Sequence, residues 1–203
     1  MKRTYHASTA FLDILFNTLL CFAALFVFSF ILISPEKKKN TVAVKADFMI
    51  TVTWNKDIDD DVDTYVEDPA GNLVAFMRRE QGLMHLDRDD LGHRNDTIDT
   101  PNGPVEYREN REIVTLRGFI PGEYVVNVHM YMKRDQKPTE VTVVLEKLNP
   151  YSVGMAKELV LTISGQEKTA FRFRLDNDGN IIEINELEKT LVTNVNSPSL
   201  PSN

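Results

Sequence analysis

An apolar run of membrane length, Ala10-FLDILFNTLLCFAALFVFSFIL-Ile33, most constrains what this chain can fold into. A helix of about 24 residues is roughly 36 Å long, enough to cross a hydrocarbon core of about 30 Å with some tilt. Residues 10–33 are therefore expected to form a transmembrane helix. The ionisable side chains inside the run are the Asp13 carboxyl and the Cys21 thiol. A carboxylate at mid-membrane costs about 2.5–3.5 kcal/mol on the insertion scale and marks contact with protein or water. Asn17 lies four residues on, on the same helical face. Thr9, Asp13, Asn17, Cys21 and Ala24 make a polar-to-small stripe in a helix otherwise rich in Phe and Leu. Such a stripe packs against another membrane helix or lines a wet path. The milder reading is that Asp13, one turn inside the N-terminal edge, snorkels to the interface or favours the positive end of the helix dipole.

A cleaved signal peptide would have a shorter apolar core and a small-residue cleavage site. Here the run carries Asp13 and ends in Ile33-Ser34-Pro35 and then lysines, as a signal anchor does. Lys2 and Arg3 precede it, and Lys37, Lys38 and Lys39 follow it. That count slightly favours the C-terminal side as cytoplasmic.

The rest of the 203 residues makes one domain of ordinary size. The net charge of −7 gives no electrostatic footprint for nucleic acid. The single cysteine, Cys21, is in the apolar run, so no disulfide staples the polar part. Residues 1–9 read as a short polar tail and 34–45 as a linker, SPEKKKNTVAVK. Such a linker reaches at most roughly 40 Å.

From Asp47 the apolar period changes to two. Phe48, Ile50, Val52 and Trp54 alternate with Met49, Thr51 and Thr53, the pattern of a half-buried strand. The same period recurs at Tyr124-Val126-Val128-Met130, Val141-Val143-Leu145, Leu159-Leu161-Ile163 and Phe171-Phe173-Leu175. Turn signals at Asp68–Asn72, 101–104, Pro121-Gly122, Asn149-Pro150 and 176–180 separate the runs. Many short strands with such punctuation predict an all-β sandwich over 46–188, with Trp54, Tyr124, Val126, Val128 and Phe171 in its core. The Ser-, Asn- and Pro-rich end, 189–203, reads as a disordered tail.

Carboxylates crowd two segments. The first, Trp54–Asn72, holds Asp57, Asp59, Asp60, Asp61, Asp63, Glu67 and Asp68; the second, Leu86–Thr97, holds Asp87, Asp89, Asp90 and Asp96. Asp61 and Asp63, two apart, point to one side of a strand. Like charges brought together need a cation or water, and hard oxygen donors in loops suit Ca2+. The spacing is not that of an EF-hand. One expectation is that Asp61, Asp63, Asp68, Asp87, Asp89 and Asp90 converge on a Ca2+ site; the other is a solvated acidic edge whose aspartates cap turns. No other cofactor is indicated. The histidines His6, His85, His93 and His129 have no metal spacing, and no nucleophile elbow or phosphate loop is present, so an enzyme is not expected. His129 reads as a surface residue on the outward side of its strand, and His85 and His93 as members of a polar loop.

The N-terminal pattern Phe11-Leu12-Asp13-Ile14-Leu15-Phe16-Asn17, after a short polar start, resembles the B subunit of ion-driven rotary motors, the MotB, ExbD and TolR superfamily. It is also similar to the corresponding subunit of Zorya-type phage-defence motors. The resemblance covers about 35 residues and implies a single-pass protein of the bacterial inner membrane. In that family two copies of the helix sit inside a pentamer of a multi-pass partner (MotA-, ExbB- or TolQ-like), a 5:2 assembly. The family's Asp carries the proton or sodium ion, and Asp13 matches it, with Asn17 near a place where members carry Thr or Ser. The resemblance puts the N-terminus in the cytoplasm and the C-terminal domain in the periplasm, against the small lysine excess after the helix.

A second resemblance, over about 47–145, is to the YfaP-like extracytoplasmic domain. It rests on Thr53-Trp54, Asp61-Val62-Asp63-Thr64-Tyr65-Val66-Glu67-Asp68-Pro69-Ala70-Gly71, Leu86-Asp87-Arg88-Asp89-Asp90, Asn95-Asp96-Thr97-Ile98 and Gly122–Tyr131. Tyr65 stands where that family often has His. No OmpA-like peptidoglycan-binding pattern is evident. Two functions follow as expectations: the B subunit of a proton- or sodium-driven motor, or a membrane-anchored β-sandwich binding or adhesion module with no ion transport. The sequence names no target for the β domain.

Overall fold

Leucine, alanine and phenylalanine dominate the apolar run, and neither proline nor glycine interrupts it, so nothing stops an α-helix there. The computed structural model describes residues 7–32 and 45–192. In it α1 spans Ala7–Leu32, and its Thr9–Phe30 stretch is long and apolar enough to cross a membrane. The helix begins before the expected boundary at residue 10, because Ala7, Ser8 and Thr9 join it although they add little hydrophobicity. Thr18 returns its hydroxyl to the Ile14 carbonyl at 2.8 Å, which satisfies a polar group that lipid would not. Phe26 and Phe30, one turn apart, bring their ring centroids within 6.0 Å. Residues 1–6, 33–44 and 193–203, including nearly all of the expected linker, lie outside the described residues.

The second unit is a β-sandwich. Its strands in chain order are β1 Phe48–Trp54, β2 Asp61–Glu67, β3 Leu73–Val74, β4 Glu80–Gln81, β5 Met84–Arg88, β6 Thr97–Thr100 and β7 Gly103–Glu106. They continue with β8 Arg111–Leu116, β9 Gly122–Met132, β10 Thr139–Leu148, β11 Tyr151–Leu161, β12 Glu167–Leu175 and β13 Ile181–Asn185. One antiparallel sheet runs β11-β10-β1-β8-β5-β4 and the other β13-β12-β9-β2-β3, with β6-β7 a separate hairpin.

Alternation explains the packing of the first sheet. In β1 the residues Phe48, Ile50, Val52 and Trp54 are buried and those between are half-buried. Val52 pairs with Val143 of β10 on one side and Glu112 of β8 on the other. The facing layer is Val126, Val128 and Met130 of β9 with Phe171 and Phe173 of β12, all in one apolar cluster with β1. The five residues expected in the core are all buried. Tyr124 stacks on Phe173 with centroids 5.0 Å apart, and its hydroxyl bonds both the amide and the carbonyl of Ile120. That closes the Pro121-Gly122 corner in the manner of the tyrosine corner of β-sandwiches.

The outer face of the second sheet is also covered, which overturns two expectations. Tyr65, Leu73, Ala75, Val125 and Leu191 form a second apolar cluster there, with Phe76 and Val192 against it. His129 does face outward from the main core, but it is only 8% exposed under this cover. The end of the chain is not a free tail from residue 189. Leu191 is fully buried, its amide donates to Glu167 at 2.7 Å, and the Lys189 amide donates to Thr169 at 3.0 Å. The Lys189 carbonyl accepts from Asn127 at 2.6 Å. Leu191→Ala is expected to lower the stability of the β domain by about 2–4 kcal/mol, read from a denaturant melt of the full chain. A disordered tail would give no change.

Candidate functional site

β3 pairs only with Val66 and Glu67, so β2 keeps an open edge over its first residues. Among the described residues the Thr64 amide at that edge has no strand to donate to. Glu112 takes it at 2.6 Å, although Glu112 belongs to the other sheet, 48 residues away. It can do so because it occupies an inward position of β8, in phase with Val114 and Leu116. The second carboxylate oxygen of Glu112 has no hydrogen-bond partner among the described residues.

Three carboxylates meet at this edge. Oxygens of Asp63, Asp89 and Glu112 all lie within 4.8 Å of one another. Asp63 is held by β2, Asp89 follows β5, and Glu112 stands on β8 beside β5. Among the described residues, Asp63 Oδ2, Asp89 Oδ1 and Glu112 Oε1 are buried and unpartnered, and so is Asp61 Oδ1 two residues along β2. Glu112 is 1% exposed, Asp61 and Asp63 3% each. His129, opposite Asp63 in the ladder, sets its Nδ1 3.7 Å from Asp63 Oδ2, too far for a hydrogen bond. Arg79 approaches Asp89 to 3.9 Å. A pocket of about 210 Å3, lined by Asp61, Asp63, Phe76, Leu91, Arg94 and Tyr131, opens beside the cluster.

Burial dominates the electrostatics. It pushes Asp61 up to about 6, helped by the charge of Asp63 and opposed by Arg134. Burial raises Asp63 as well, with His129 pulling the other way. Glu112 is raised well above the usual carboxylate range, first by burial and then by Asp63. Each of these groups resists its charge where it stands.

The six aspartates expected to converge do not. Asp63 and Asp89 come together and Glu112 joins them, while Asp61 stands two residues along β2 and lines the adjacent pocket. Asp68 instead caps the Pro69-Ala70-Gly71 turn, accepting from the Ala70 and Asn72 amides at 2.9 Å each and from the Asn72 side chain. Asp87 binds Thr115 and Arg117. Asp90 accepts from Arg88 at 3.1 Å and from the Gly92 amide at 3.0 Å, which engages it in shaping its own loop. So part of the acidic run is turn chemistry and part is an unpaired cluster. His85 lies in β5 rather than in a loop. In α1, Asp13 and Asn17 are both exposed on the helix surface.

No family model matches this chain, and no curated protein does. Among solved structures it is similar to the crystal structure of a protein of unknown function, SAV2460, at 16% identity and a TM-score of 0.47, over 73% of this chain and 94% of that one.

Proposed function

We propose that this chain is the B-type subunit of a proton- or sodium-driven membrane motor, with Asp13 as the ion-carrying carboxylate and Asn17 beside it. One observation carries the reading. Asp13 is the sole Asp, Glu, Lys or Arg in the Thr9–Phe30 stretch of a helix fit to span a bilayer. Such a group needs protein or water next to it in hydrocarbon, and a lone apolar anchor has no use for one. In the motor a multi-pass MotA-, ExbB- or TolQ-like partner supplies that surrounding. Two copies of α1 stand inside a ring of five partner chains. The setting is the bacterial inner membrane, with the N-terminus in the cytoplasm and the β-sandwich in the periplasm. Ion uptake and release at Asp13 let the membrane potential do work, about 2.3 kcal/mol per charge per 100 mV.

The second reading is a membrane-anchored binding module, favoured by the pocket beside Asp61 and Asp63. Purification in mild detergent separates the two. The motor reading expects a multi-pass partner to co-purify, and native mass analysis to count two copies of this chain per complex. A lone monomer in membranes is the result the anchored module predicts.

A further inference from the structure

We propose that the open edge of β2 is a Ca2+ site, built from Asp63, Asp89 and Glu112 as direct ligands with Asp61 completing it from the pocket side. The site lies in the β domain and stands or falls independently of the motor reading.

Unsatisfied acceptors carry the argument. A buried carboxylate oxygen without a donor loses its hydration and gains nothing in return. Two neighbouring buried carboxylates avoid that cost, although Asp96, apart from this cluster, also has both oxygens buried and unpartnered among the described residues. Asp60, fully buried, takes four donors, from Lys133, Thr139 and the Arg134 and Asp135 amides. Asp90 takes three, from Arg88 and from the Gly92 and Arg111 amides. Yet Asp61 Oδ1, Asp63 Oδ2, Asp89 Oδ1 and Glu112 Oε1 are buried with none among the described residues. The Glu112 case is the most demanding, because its other oxygen is fixed on the Thr64 amide and holds the carboxylate in place.

The spacing fits one hard cation. Two oxygens on opposite sides of a Ca2+ ion are about 4.8 Å apart, twice a bond of about 2.4 Å. The Asp63, Asp89 and Glu112 oxygens fall within 4.8 Å of one another. Ca2+ takes about six to eight oxygens. Glu112 through its free oxygen, Asp63 and Asp89 through one or both, Asp61 and pocket water reach that number. The pocket of about 210 Å3 supplies both the water and a way in. Its volume is that of several waters at about 30 Å3 each. His129 Nδ1, 3.7 Å from Asp63 Oδ2, makes no hydrogen bond to it and leaves that oxygen free for the ion.

Stability and calorimetry on the full chain in detergent test this. After stripping with EGTA, about 1 mM CaCl2 is expected to raise the melting temperature by several degrees, and titration calorimetry to count one ion per chain. Mg2+ at the same concentration is expected to give a smaller shift. Glu112→Gln keeps an acceptor for the Thr64 amide and removes the charge, and it should weaken Ca2+ binding by about tenfold or more. Asp89→Asn, at a less buried position, should do the same and guards against a Glu112 variant that fails to fold. Asp87→Asn should bind like the parent. The proposal is overturned if the folded parent gives neither a shift nor heat with Ca2+, if Mg2+ stabilises it and Ca2+ does not, or if both ligand variants bind as tightly as the parent.

Discussion

Asp60→Ala is expected to destabilise the β domain by about 3–5 kcal/mol, the usual cost of breaking a buried ion pair from one side. Asp60 ties two distant loops together. Its Oδ1 accepts from the Arg134 amide at 2.7 Å and the Asp135 amide at 2.9 Å. Its Oδ2 accepts from Lys133 Nζ at 2.7 Å and from Thr139. Its own carbonyl receives the Trp54 indole at 3.0 Å. Alanine would strand a hydroxyl and two amides and leave the buried Lys133 ammonium to the Asp135 carbonyl at 2.7 Å, its carboxylate partner lost. Against a total stability of about 5–15 kcal/mol, such a loss is severe. The acid limb of the stability curve should carry the same signature. Burial alone would raise the Asp60 carboxyl, but the bonds from Lys133, Thr139 and the two amides outweigh it and hold it below the ordinary aspartate value. Its stabilisation is therefore complete above its unfolded value and is lost as pH falls through the depressed folded one. Urea melts of the parent and of Asp60→Ala across the acid range read both effects. A loss under about 1 kcal/mol would mean that these bonds are exchanged for water at no cost.

Asp13→Asn is expected to abolish motor-dependent activity while leaving expression and membrane assembly intact. Asparagine keeps the size and polarity of the side chain, so the packing of the Asp13-Asn17 stripe survives. It removes the one carboxyl group in Thr9–Phe30, the group there that can alternate between charged and neutral near neutral pH. Ion-driven work needs that alternation, because only a change of charge couples side-chain position to the membrane potential. The measurement is the cellular process that the motor powers, with the level of the assembled complex as control. Full activity in the variant would return α1 to the role of a plain anchor.

The fold was legible in the sequence where one face of a strand is buried and the other is not. Phe48-Ile50-Val52-Trp54 is such a strand, and its period of two reads directly as β1. β9 is buried on both faces, so period alone could not tell that Asn127 and His129 are covered as well as Val126 and Val128. Their cover comes from Tyr65, whose ring meets His129 edge-on, and from segment 189–191, which bonds Asn127 through contacts far apart in sequence. The site was legible only in part for the same reason. Crowded aspartates marked the right segments, and the spacing of Asp61 and Asp63 marked the right strand. The turn around Pro69 claimed Asp68, and cross-strand partners on β8 and beyond it claimed Asp87. Glu112 carried a signal that went unused: it stands in phase with Val114 and Leu116, so a charged residue falls on an inward position. Its partner at Thr64 is a tertiary contact, which no local pattern encodes.

The central claim, that Asp13 moves ions, is tested most directly by flux in proteoliposomes that hold this chain with its multi-pass partner. Under an imposed membrane potential the account predicts proton or sodium uptake with the parent chain, none with Asp13→Asn, and recovery with Asp13→Glu, which restores a carboxylate. Equal flux from the parent and Asp13→Asn, or no flux from a correctly assembled parent complex with either ion, would contradict it.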